Sequence, residues 1–355
     1  MMPVATALAA RGIRPTLILT GQHSGLAGAD FGFGSLDVID LGCPGEPDSH
    51  AHVRRVSNAV RPLLAGGPDL LVVQGDTSSA LGGALAANEA GIPLAHVEAG
   101  LRTYDPNCPW PEEQNRMTID RLSSLLFAPT TGNAANLRRD KVAGEIRVTG
   151  NSGIDALAEL VGPLPLQRKR KWWPKGSFTL LVTCHRRENW GAGLDSLASA
   201  ILSLAERHVR SEVVLPPNPS VTERLTQLLG GNERVRLVPP LSHEATIAAM
   251  CRADLLLSDS GGIQEEAPAL GIPLLILRDK TERPEGLSVG CSMLVGTDPG
   301  TIVDKVLRLK KDRAALRAMA TPCLPFGDGQ AASRIARHCL MFLEASAGVE
   351  QCRTA

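Results

Sequence analysis

The sequence predicts an α/β protein made of two Rossmann-like, doubly wound domains with the ligand cleft between them. Short apolar runs rich in β-branched residues alternate with helical patterns, which is typical of βαβ units and parallel sheets. A segment rich in proline and basic residues interrupts the alternation, which then starts again. Because the chain has 355 residues, it is long enough for two such domains.

The predicted strands fall into two groups on either side of that segment. We expect one domain over residues 1–160, a linker over 161–177, a second domain over 178–335, and a C-terminal helix and tail over 336–355. A helical pattern runs from about Gly329 to Ala347. The predicted strands are Thr16–Gln22, Leu36–Gly42, Asp69–Asp76, Ile92–Glu98, Leu125–Pro129, Ile146–Gly150, Phe178–His185, Glu212–Pro217, Val235–Pro240, Leu255–Ser260 and Pro273–Asp279.

The beginning of the chain departs from the doubly wound pattern. Residues 1–12 are helical and lead straight into the strand at Thr16. A doubly wound domain normally opens with a strand whose C-terminal loop feeds the first helix. Two explanations are open: the domain lacks one strand of its expected sheet, or the chain has lost its beginning.

Composition and charge exclude several classes of function. The formal net charge is +0 and aromatic residues make up 3%, so neither nucleic acid nor an anionic membrane is indicated as a partner. No apolar run approaches the roughly 20 residues of a membrane span. The eight cysteines form no C-x-x-C pair, and no His, Cys or Asp cluster has metal-ligand spacing. We therefore expect reduced thiols, a cytoplasmic location and no bound metal.

A glycine-containing turn in the second domain predicts an anion site. SDSGGIQEEAPALG follows a strand and opens a helix, so Ser260, Gly261 and Gly262 would present backbone N–H groups to a phosphate. Glu266, one turn further on, is a candidate acceptor for ribose hydroxyls, and Arg283 is a candidate second clamp on a diphosphate. A structural turn with solvated side chains is the alternative. The pattern is neither G-x-G-x-x-G nor a Walker loop, so no cofactor is expected.

Carboxylates mark two strand ends in the first domain. Asp76 and Glu98 end neighbouring strands, so they would lie side by side at one sheet edge, as expected of an acid–base pair. Glu112 begins the next helix and either caps it or supplies a third acid. His185 ends the first strand of the second domain, where such folds place their ligand crevice. Asp76 as a helix N-cap and His185 as a structural histidine are the competing interpretations.

Seven ordered motifs carry a resemblance to a known family. HVEAGLRT, PWPEEQNR, VTGNSGIDAL, TCHRREN, SDSGGIQEEAP, RDKTERPE and VGTD resemble those of the non-hydrolysing UDP-N-acetylglucosamine 2-epimerases, over Met1 to about Arg337. The resemblance implies the GT-B architecture, a last helix that crosses back, and a homodimer. It also implies interconversion of UDP-GlcNAc and UDP-ManNAc by inversion at sugar C2, through anti elimination of UDP to a glycal and syn re-addition.

The resemblance also assigns roles to the candidate residues. The first domain becomes the sugar and catalytic side and the second becomes the UDP-binding side, so the partners are UDP-GlcNAc, UDP-ManNAc and UDP. Asp76 and Glu98 are the expected main acid pair, and His185 lies beside the diphosphate. The catalytic positions are matched by Asp76, Glu98, Glu112 and His185, and the UDP-sugar positions by Ser260, Gly261, Gly262, Arg283, Glu266, Leu241 and Thr246.

The chain departs from the family at its start and at the allosteric site. The family's first strand, with the glycine turn that carries an Arg and a Lys near the substrate phosphates, would precede Met1. At the allosteric site Gln22 keeps one polar position, whereas Gly25 and Pro216 replace a polar residue and a His. We therefore expect activation by UDP-GlcNAc to be weak or absent. On the uracil side, Thr246 takes the place of a usual aromatic residue.

Three other functions stay open. A hydrolysing 2-epimerase, which releases ManNAc and UDP, shares the fold and the acids, although TCHRREN favours the non-hydrolysing type. A GT-B glycosyltransferase would need an acceptor groove, and the acid cluster favours elimination instead. A nucleotide-sugar-binding protein with little or no turnover would fit the missing Arg and Lys.

Overall fold

The computed structural model describes residues 1–22, 36–164, 178–186 and 189–354, with side chains described up to residue 346. These residues form two compact units: an N-terminal unit, Met1–Ala156 with Phe326–Ala355, and a C-terminal unit, Leu157–Pro325. Every strand pair in the described part of the chain is parallel, which confirms the predicted α/β class. The predicted linker lies outside the described residues from position 165 onward.

The N-terminal unit alternates strands and helices, as the apolar runs predict. Helix α3 shows how the sequence sets the bounds, since the Thr77 hydroxyl accepts a hydrogen bond from the Ala80 N–H at its start and the left-handed Gly91 ends it. The elements are α1 (Met2–Ala9), β1 (Thr16–Leu19), β2 (Asp37–Asp40), α2 (Ser49–Leu64), β3 (Leu71–Gln74), α3 (Ser78–Ala90), β4 (Leu94–Val97), α4 (Glu112–Leu122), β5 (Leu125–Ala128), α5 (Thr131–Arg139), β6 (Glu145–Val148) and α6 (Ser152–Val161).

The strands of this unit form two separate sheets. One has the order β1-β2 and the other β3-β4-β5-β6, and within the described residues no strand pairs with the outer edge of β1 or of β3. A cavity of about 720 Å³ is lined by residues of both these strands. Alternate side chains of β3 enter opposite cores, because Val73 packs with α2 and α3 while Val72 packs with α1 and the C-terminal helix. Helices therefore cover both faces of β3.

The C-terminal unit has one continuous six-stranded sheet, in the order β12-β11-β10-β7-β8-β9. Counted from its own first strand, this is the doubly wound order 3-2-1-4-5-6. The sequence did not predict β12, because a three-residue run gives too weak a pattern. The elements are β7 (Thr179–Thr183), α7 (Ala192–Glu206), β8 (Arg210–Val214), α8 (Pro219–Leu229), β9 (Val235–Val238), α9 (His243–Arg252), β10 (Leu255–Ser258), α10 (Gly261–Leu270), β11 (Leu274–Ile276), α11 (Glu285–Ser288), β12 (Ser292–Leu294), α12 (Pro299–Lys311) and α13 (Arg313–Met319).

Both faces of this sheet are packed. Leu180 and Val182 of β7 belong to the core formed with α7, α8 and α12, and Leu181 between them belongs to the core formed with α9 and α10. After α13 the chain returns to the N-terminal unit as α14 (Ala331–Thr354). None of the helices in the described residues has both the length and the apolar character needed to cross a membrane.

Candidate active site

The predicted acid pair lies at the carboxyl edge of the four-stranded sheet. Gln74 and Val97 are register partners, and the Gly75 N–H donates to the Val97 carbonyl at 3.0 Å. Asp76 and Glu98 therefore leave the sheet from neighbouring strand ends. A β-carbon added at Gly75 would lie 3.7 Å from Glu98 Oε2, so the Glu98 carboxylate lies against the turn that carries Asp76.

Glu98 has a backbone conformation that non-glycine residues seldom adopt. Its φ is +70°, in the left-handed region, where a side chain costs energy that the surrounding structure has to offset. The buried strand before it and the fully buried Ala99 after it hold this conformation in place. Strain of this kind concentrates at functional sites, which agrees with a role for Glu98 beyond packing.

Asp76 is held by α4. Nε of Arg116 donates to its carboxylate oxygen Oδ2 at 2.9 Å, and the Asn115 side chain donates to its backbone carbonyl at 2.9 Å. A second guanidinium nitrogen of Arg116 contacts Oδ2 as well, and a third donates to Glu113. Thr77 caps α3, so the alternative interpretation of Asp76 as the N-cap is wrong. The guanidinium fixes the position of the carboxylate.

Glu112 supplies a buried oxygen at the start of the same helix. It is the first residue of α4, Pro111 is the N-cap, and no side chain caps this helix. Within the described residues, Glu112 Oε2 is buried and has no hydrogen-bond partner. A buried polar atom without a partner is costly unless a ligand or water satisfies it, so Glu112 fits the third acid of the sequence prediction better than a cap.

A fully buried network below the two acids was not predicted. The His96 ring donates from Nδ1 to Asp120 at 2.7 Å and from Nε2 to the Gly75 carbonyl at 2.9 Å. Asp120 also accepts from the Gly100 N–H and from Arg102. Burial alone would raise the pKa of Asp120, but the charge and hydrogen bond of His96, together with those of Arg102, leave that pKa below its usual value. Through His96, the ionised carboxylate of Asp120 thus holds together the ends of the two strands that carry the acids.

In the C-terminal unit, His185 lies at the end of β7 as predicted. The completely buried carboxylate of Asp259, which follows β10, accepts from the backbone N–H groups of His185 and Arg186 and from the Asn189 side chain. His185 Nδ1 is 3.3 Å from the same carboxylate, and about half of its side chain stays exposed. The ring is therefore anchored on one side and accessible on the other, as proton transfer or phosphate contact requires.

The start of α10 has the geometry of the predicted phosphate site. Ser260 caps the helix, and a β-carbon added at Gly262 would meet no atom within 4 Å, so a ligand can approach the backbone there. A β-carbon added at Gly261 would lie 2.9 Å from Cζ of Arg283. Glycine at 261 thus lets the Arg283 guanidinium lie against the helix start, where it adds positive charge.

Arg283 and Glu266 are both held by neighbours that the sequence pattern did not reveal. Nε of Arg283 donates to Glu265 and a terminal nitrogen contacts Glu282. These two contacts orient the guanidinium group. His243 Nε2 donates to Glu266 at 2.6 Å, and this hydrogen bond raises the pKa of His243 against the opposing effect of burial.

The predicted uracil-side residues flank this histidine in the chain. Leu241 packs against the core that includes α10, and the Thr246 hydroxyl donates to the Ser242 carbonyl one turn back. The contact between His243 and Glu266 brings this segment beside the predicted ribose acceptor.

Gln22 lies in the N-terminal unit beside the start of α3. Its side-chain oxygen accepts from the Ser79 hydroxyl at 2.6 Å, and Ser79 is also within hydrogen-bond distance of His52 and Thr20. Gly25, the other predicted departure at the allosteric site, lies outside the described residues.

Comparison with known proteins shows the family to which the chain belongs. The family model described as UDP-N-acetylglucosamine 2-epimerase matches residues 6–340. The chain belongs to the UDP-N-acetylglucosamine 2-epimerase family. A curated relative, the UDP-N-acetylglucosamine 2-epimerase of Escherichia coli K12, is 42% identical over 293 residues, which cover 79% of this chain and 78% of that protein.

Two solved structures of similar proteins confirm the predicted fold class. The UDP-GlcNAc 2-epimerase of Neisseria meningitidis bound to UDP-GlcNAc has a TM-score of 0.88 and 32% identity, covering 96% of this chain and 95% of its own. The S. aureus MnaA structure with UDP has a TM-score of 0.88 and 32% identity, covering 97% and 93%.

The residues that sequence reasoning missed share one property. Each acts through a contact with a residue distant in sequence, as Asp120 does with His96 and Asp259 does with His185. Arg116 stands within the family motif PWPEEQNR, so the motif was recognised while the contact with Asp76, 40 residues away, was not. The one sequence signal that could have identified Asp259 as a site residue was its position at the end of a predicted strand, a position that Asp76 and Glu98 share.

Proposed function

We propose that this member of the UDP-N-acetylglucosamine 2-epimerase family is non-hydrolysing and interconverts UDP-GlcNAc and UDP-ManNAc by inversion at sugar C2. The observation that supports inversion at C2 is the pairing of Asp76 and Glu98 at the ends of β3 and β4, with a Glu112 oxygen on the next helix that has no hydrogen-bond partner among the described residues. The motif TCHRREN favours the non-hydrolysing type. The Neisseria meningitidis relative bound to UDP-GlcNAc supports the choice of substrate.

The chemistry explains why several carboxyl groups are needed. The proton on C2 is not acidic, so it leaves only as the bond from C1 to the UDP oxygen breaks and the C1–C2 double bond forms. A carboxylate takes that proton, and UDP departs with the bonding pair. In the return step the UDP oxygen adds to C1, and a protonated group delivers a proton to the opposite face of C2. Inversion therefore requires proton-transfer groups on both faces of the sugar.

We assign removal of the proton to Asp76. The hydrogen bonds from Arg116 fix the position of its carboxylate, as a general base requires. Glu98 and Glu112 are the candidates to return the proton. Glu98 is held in its left-handed conformation next to Asp76, and the buried oxygen of Glu112 lacks a protein partner within the described residues.

The C-terminal unit would stabilise the departing diphosphate. Negative charge develops on the diphosphate as it departs, and it would be stabilised by the N–H groups of Gly261 and Gly262, the positive end of α10 and Arg283. Because these groups are already held in place, they do not have to reorganise as the charge develops. His185 is proposed beside the diphosphate, and Glu266 would accept the ribose hydroxyls. Leu241 and Thr246 would lie on the uracil side.

The experiment is incubation of the protein with UDP-GlcNAc in D2O, followed by NMR. Non-hydrolysing epimerisation predicts UDP-ManNAc with deuterium at C2 and a stable total of sugar nucleotide. Free ManNAc with UDP would instead indicate the hydrolysing reaction. Binding of UDP-GlcNAc without exchange at C2 would indicate a binding protein and contradict the proposal.

We also propose a homodimer and weak or absent activation by UDP-GlcNAc, both on the family resemblance. Gln22 keeps one polar position of the allosteric site, and here its side-chain oxygen accepts from Ser79. A hyperbolic dependence of rate on UDP-GlcNAc is expected, and a clearly sigmoidal one would count against it. A monomer mass by light scattering would contradict the dimer.

A further inference from the structure

The contact between His243 and Glu266 ties the start of α9 to α10. His243 is the first residue of α9 and follows the N-cap Ser242, and its ring nitrogen Nε2 donates to Glu266 Oε1 at 2.6 Å. The two residues are 23 positions apart, and β10 lies between their helices in the chain. The His243 side chain is 47% exposed and that of Glu266 is 12% exposed. A largely buried carboxylate is thus held by a ring at the surface.

Glu266 lies on the face of α10 that a ligand can approach. It comes four residues after Gly262, so the two positions share one helix face and lie about 6 Å apart along the axis. A β-carbon added at Gly262 would meet no atom within 4 Å, which leaves room on that face. The preceding residue, Glu265, instead accepts a hydrogen bond from Arg283. A diphosphate at the helix start would therefore bring the ribose next to it within reach of Glu266.

The orientation of the Glu266 carboxylate decides how it can meet the hydroxyl groups of a sugar. The terminal torsion of a glutamate side chain has a broad energy well, so the carboxylate rotates unless a partner holds it. Within the described residues, His243 is the one hydrogen-bond donor to this carboxylate, and it occupies Oε1. That hydrogen bond restrains the plane of the carboxylate and leaves Oε2 to accept from the hydroxyl groups of a ligand.

On the basis of the proposed function, in which Glu266 accepts the ribose hydroxyls, we propose that His243 is a positioning residue for nucleotide specificity. It holds the Glu266 carboxylate so that the site selects a ribonucleoside diphosphate over the 2′-deoxy analogue. A sugar without the 2′-hydroxyl leaves a largely buried, charged acceptor without its donor, which is costly. The selection depends on a restrained carboxylate, because one that rotates freely turns toward water or toward the remaining hydroxyl.

The test compares the dissociation constants of UDP and 2′-deoxy-UDP by isothermal titration calorimetry. His243→Phe keeps a ring and removes the donor, whereas His243→Gln carries an N–H donor the same number of bonds from the backbone as Nε2. Glu244→Gln changes an exposed residue in the same turn of α9 and is the matched control. Since the measurement records binding alone, its outcome does not depend on whether the protein epimerises or hydrolyses a sugar nucleotide.

The wild type is expected to bind UDP about 10- to 100-fold more tightly than 2′-deoxy-UDP, the range expected for loss of a hydrogen bond with a charged group. His243→Phe should lower this preference to about threefold or less, by weakening the binding of UDP while the affinity for 2′-deoxy-UDP changes little. His243→Gln should retain most of the preference, because it keeps a donor to Glu266. Glu244→Gln should leave the preference unchanged.

A double-mutant cycle separates an effect through Glu266 from a direct contact of His243 with the nucleotide. Glu266→Gln should lower the preference by itself, and adding His243→Phe should lower it no further. A wild type that binds UDP without preferring it to 2′-deoxy-UDP would overturn the inference and leave UDP binding by the chain intact. An equal loss of both affinities in His243→Phe would also overturn it, since the ring would then act on the base or the diphosphate. A wild type that binds neither nucleotide would contradict the UDP site itself, and the inference with it.

Discussion

The two units are both built from parallel strands but differ in how continuous their sheets are among the described residues. The C-terminal unit has a continuous six-stranded parallel sheet, whereas the N-terminal unit divides the same number of described strands between two sheets. In both units the candidate site lies where two adjacent parallel strands end, after β3 and β4 in one and after β7 and β10 in the other. In the N-terminal unit, however, β3 is also the strand at the break. Among the described residues, the strand that leads to Asp76 therefore pairs along one edge only.

The units also anchor their strand ends in different ways. Each uses one completely buried aspartate, Asp120 in the N-terminal unit and Asp259 in the C-terminal unit. Asp120 is held by the His96 ring and by the charged side chain of Arg102. Asp259 is held mainly by backbone N–H groups and the Asn189 amide. An anchor made of charges costs more to break than one made of amides, and this difference can be measured.

The largest difference is expected between Asp120→Asn and Asp259→Asn. Removing the Asp120 charge leaves the buried Arg102 guanidinium and the buried His96 ring short of a partner and should lower the free energy of unfolding by about 3–5 kcal/mol. Asp259→Asn loses hydrogen bonds to mostly neutral groups and should cost about 1–3 kcal/mol. Urea denaturation followed by circular dichroism gives both values. Equal costs would show that the two anchors are energetically alike.

Arg283→Gln should weaken UDP binding by about 10- to 100-fold, the range expected for loss of a hydrogen bond with a charged group. Isothermal titration calorimetry with UDP measures it. Arg224→Gln is the matched control, since Arg224 forms an exposed ion pair with Asp195 in the same unit. If both variants bind UDP like the wild type, Arg283 is not part of the diphosphate site.

The N-cap residues of α3 and α10 can be compared by substitution. The loss of stability should be the same for both variants, whereas UDP affinity should fall in only one. Thr77 caps α3 and Ser260 caps α10 through the same side-chain hydrogen bond, so alanine at either should cost about 1 kcal/mol of stability. Only Ser260→Ala is expected to lower UDP affinity as well. An affinity loss of the same size in Thr77→Ala would remove the distinction between the two helix starts.

The smallest effect concerns pH. The pKa of His243 is raised in the folded protein by Glu266, so the stabilisation from this pair is complete below the unfolded pKa of about 6.5 and is lost as pH rises through the folded pKa. His243→Gln should therefore lose stability relative to the wild type below pH of about 6, and the gap should close in mildly alkaline solution. Since the ring is half exposed, the gap should be roughly a few tenths of a kcal/mol.

Much of this fold is predictable from sequence because its signals are local. All six strands of the N-terminal unit and five of the six in the C-terminal unit lie within predicted apolar runs or differ from them by a residue or two. The exception, β12, is three residues long, and its Met293 is exposed. The adjacency of Asp76 and Glu98 followed from parallel pairing, since neighbouring parallel strands end at one edge.

The parts that were not predicted depend on distant contacts or on backbone conformation. Nothing local to Asp120 indicates that it meets His96 and Arg102, and nothing local to His243 indicates that it meets Glu266. The left-handed conformation of Glu98 is likewise invisible in sequence, because that conformation ordinarily favours glycine. Such features come from the packing of the whole unit, which a single sequence does not encode in any short pattern.

One measurement tests most directly the claim that the N-terminal acids do the chemistry while the C-terminal unit holds UDP. It is the rate of deuterium incorporation at C2 of UDP-GlcNAc in D2O for wild type and Asp76→Asn, with UDP affinity measured on the same samples. We predict that Asp76→Asn slows incorporation by about 100-fold or more and leaves UDP affinity unchanged. Incorporation at the wild-type rate, or a parallel loss of UDP affinity, would contradict the account.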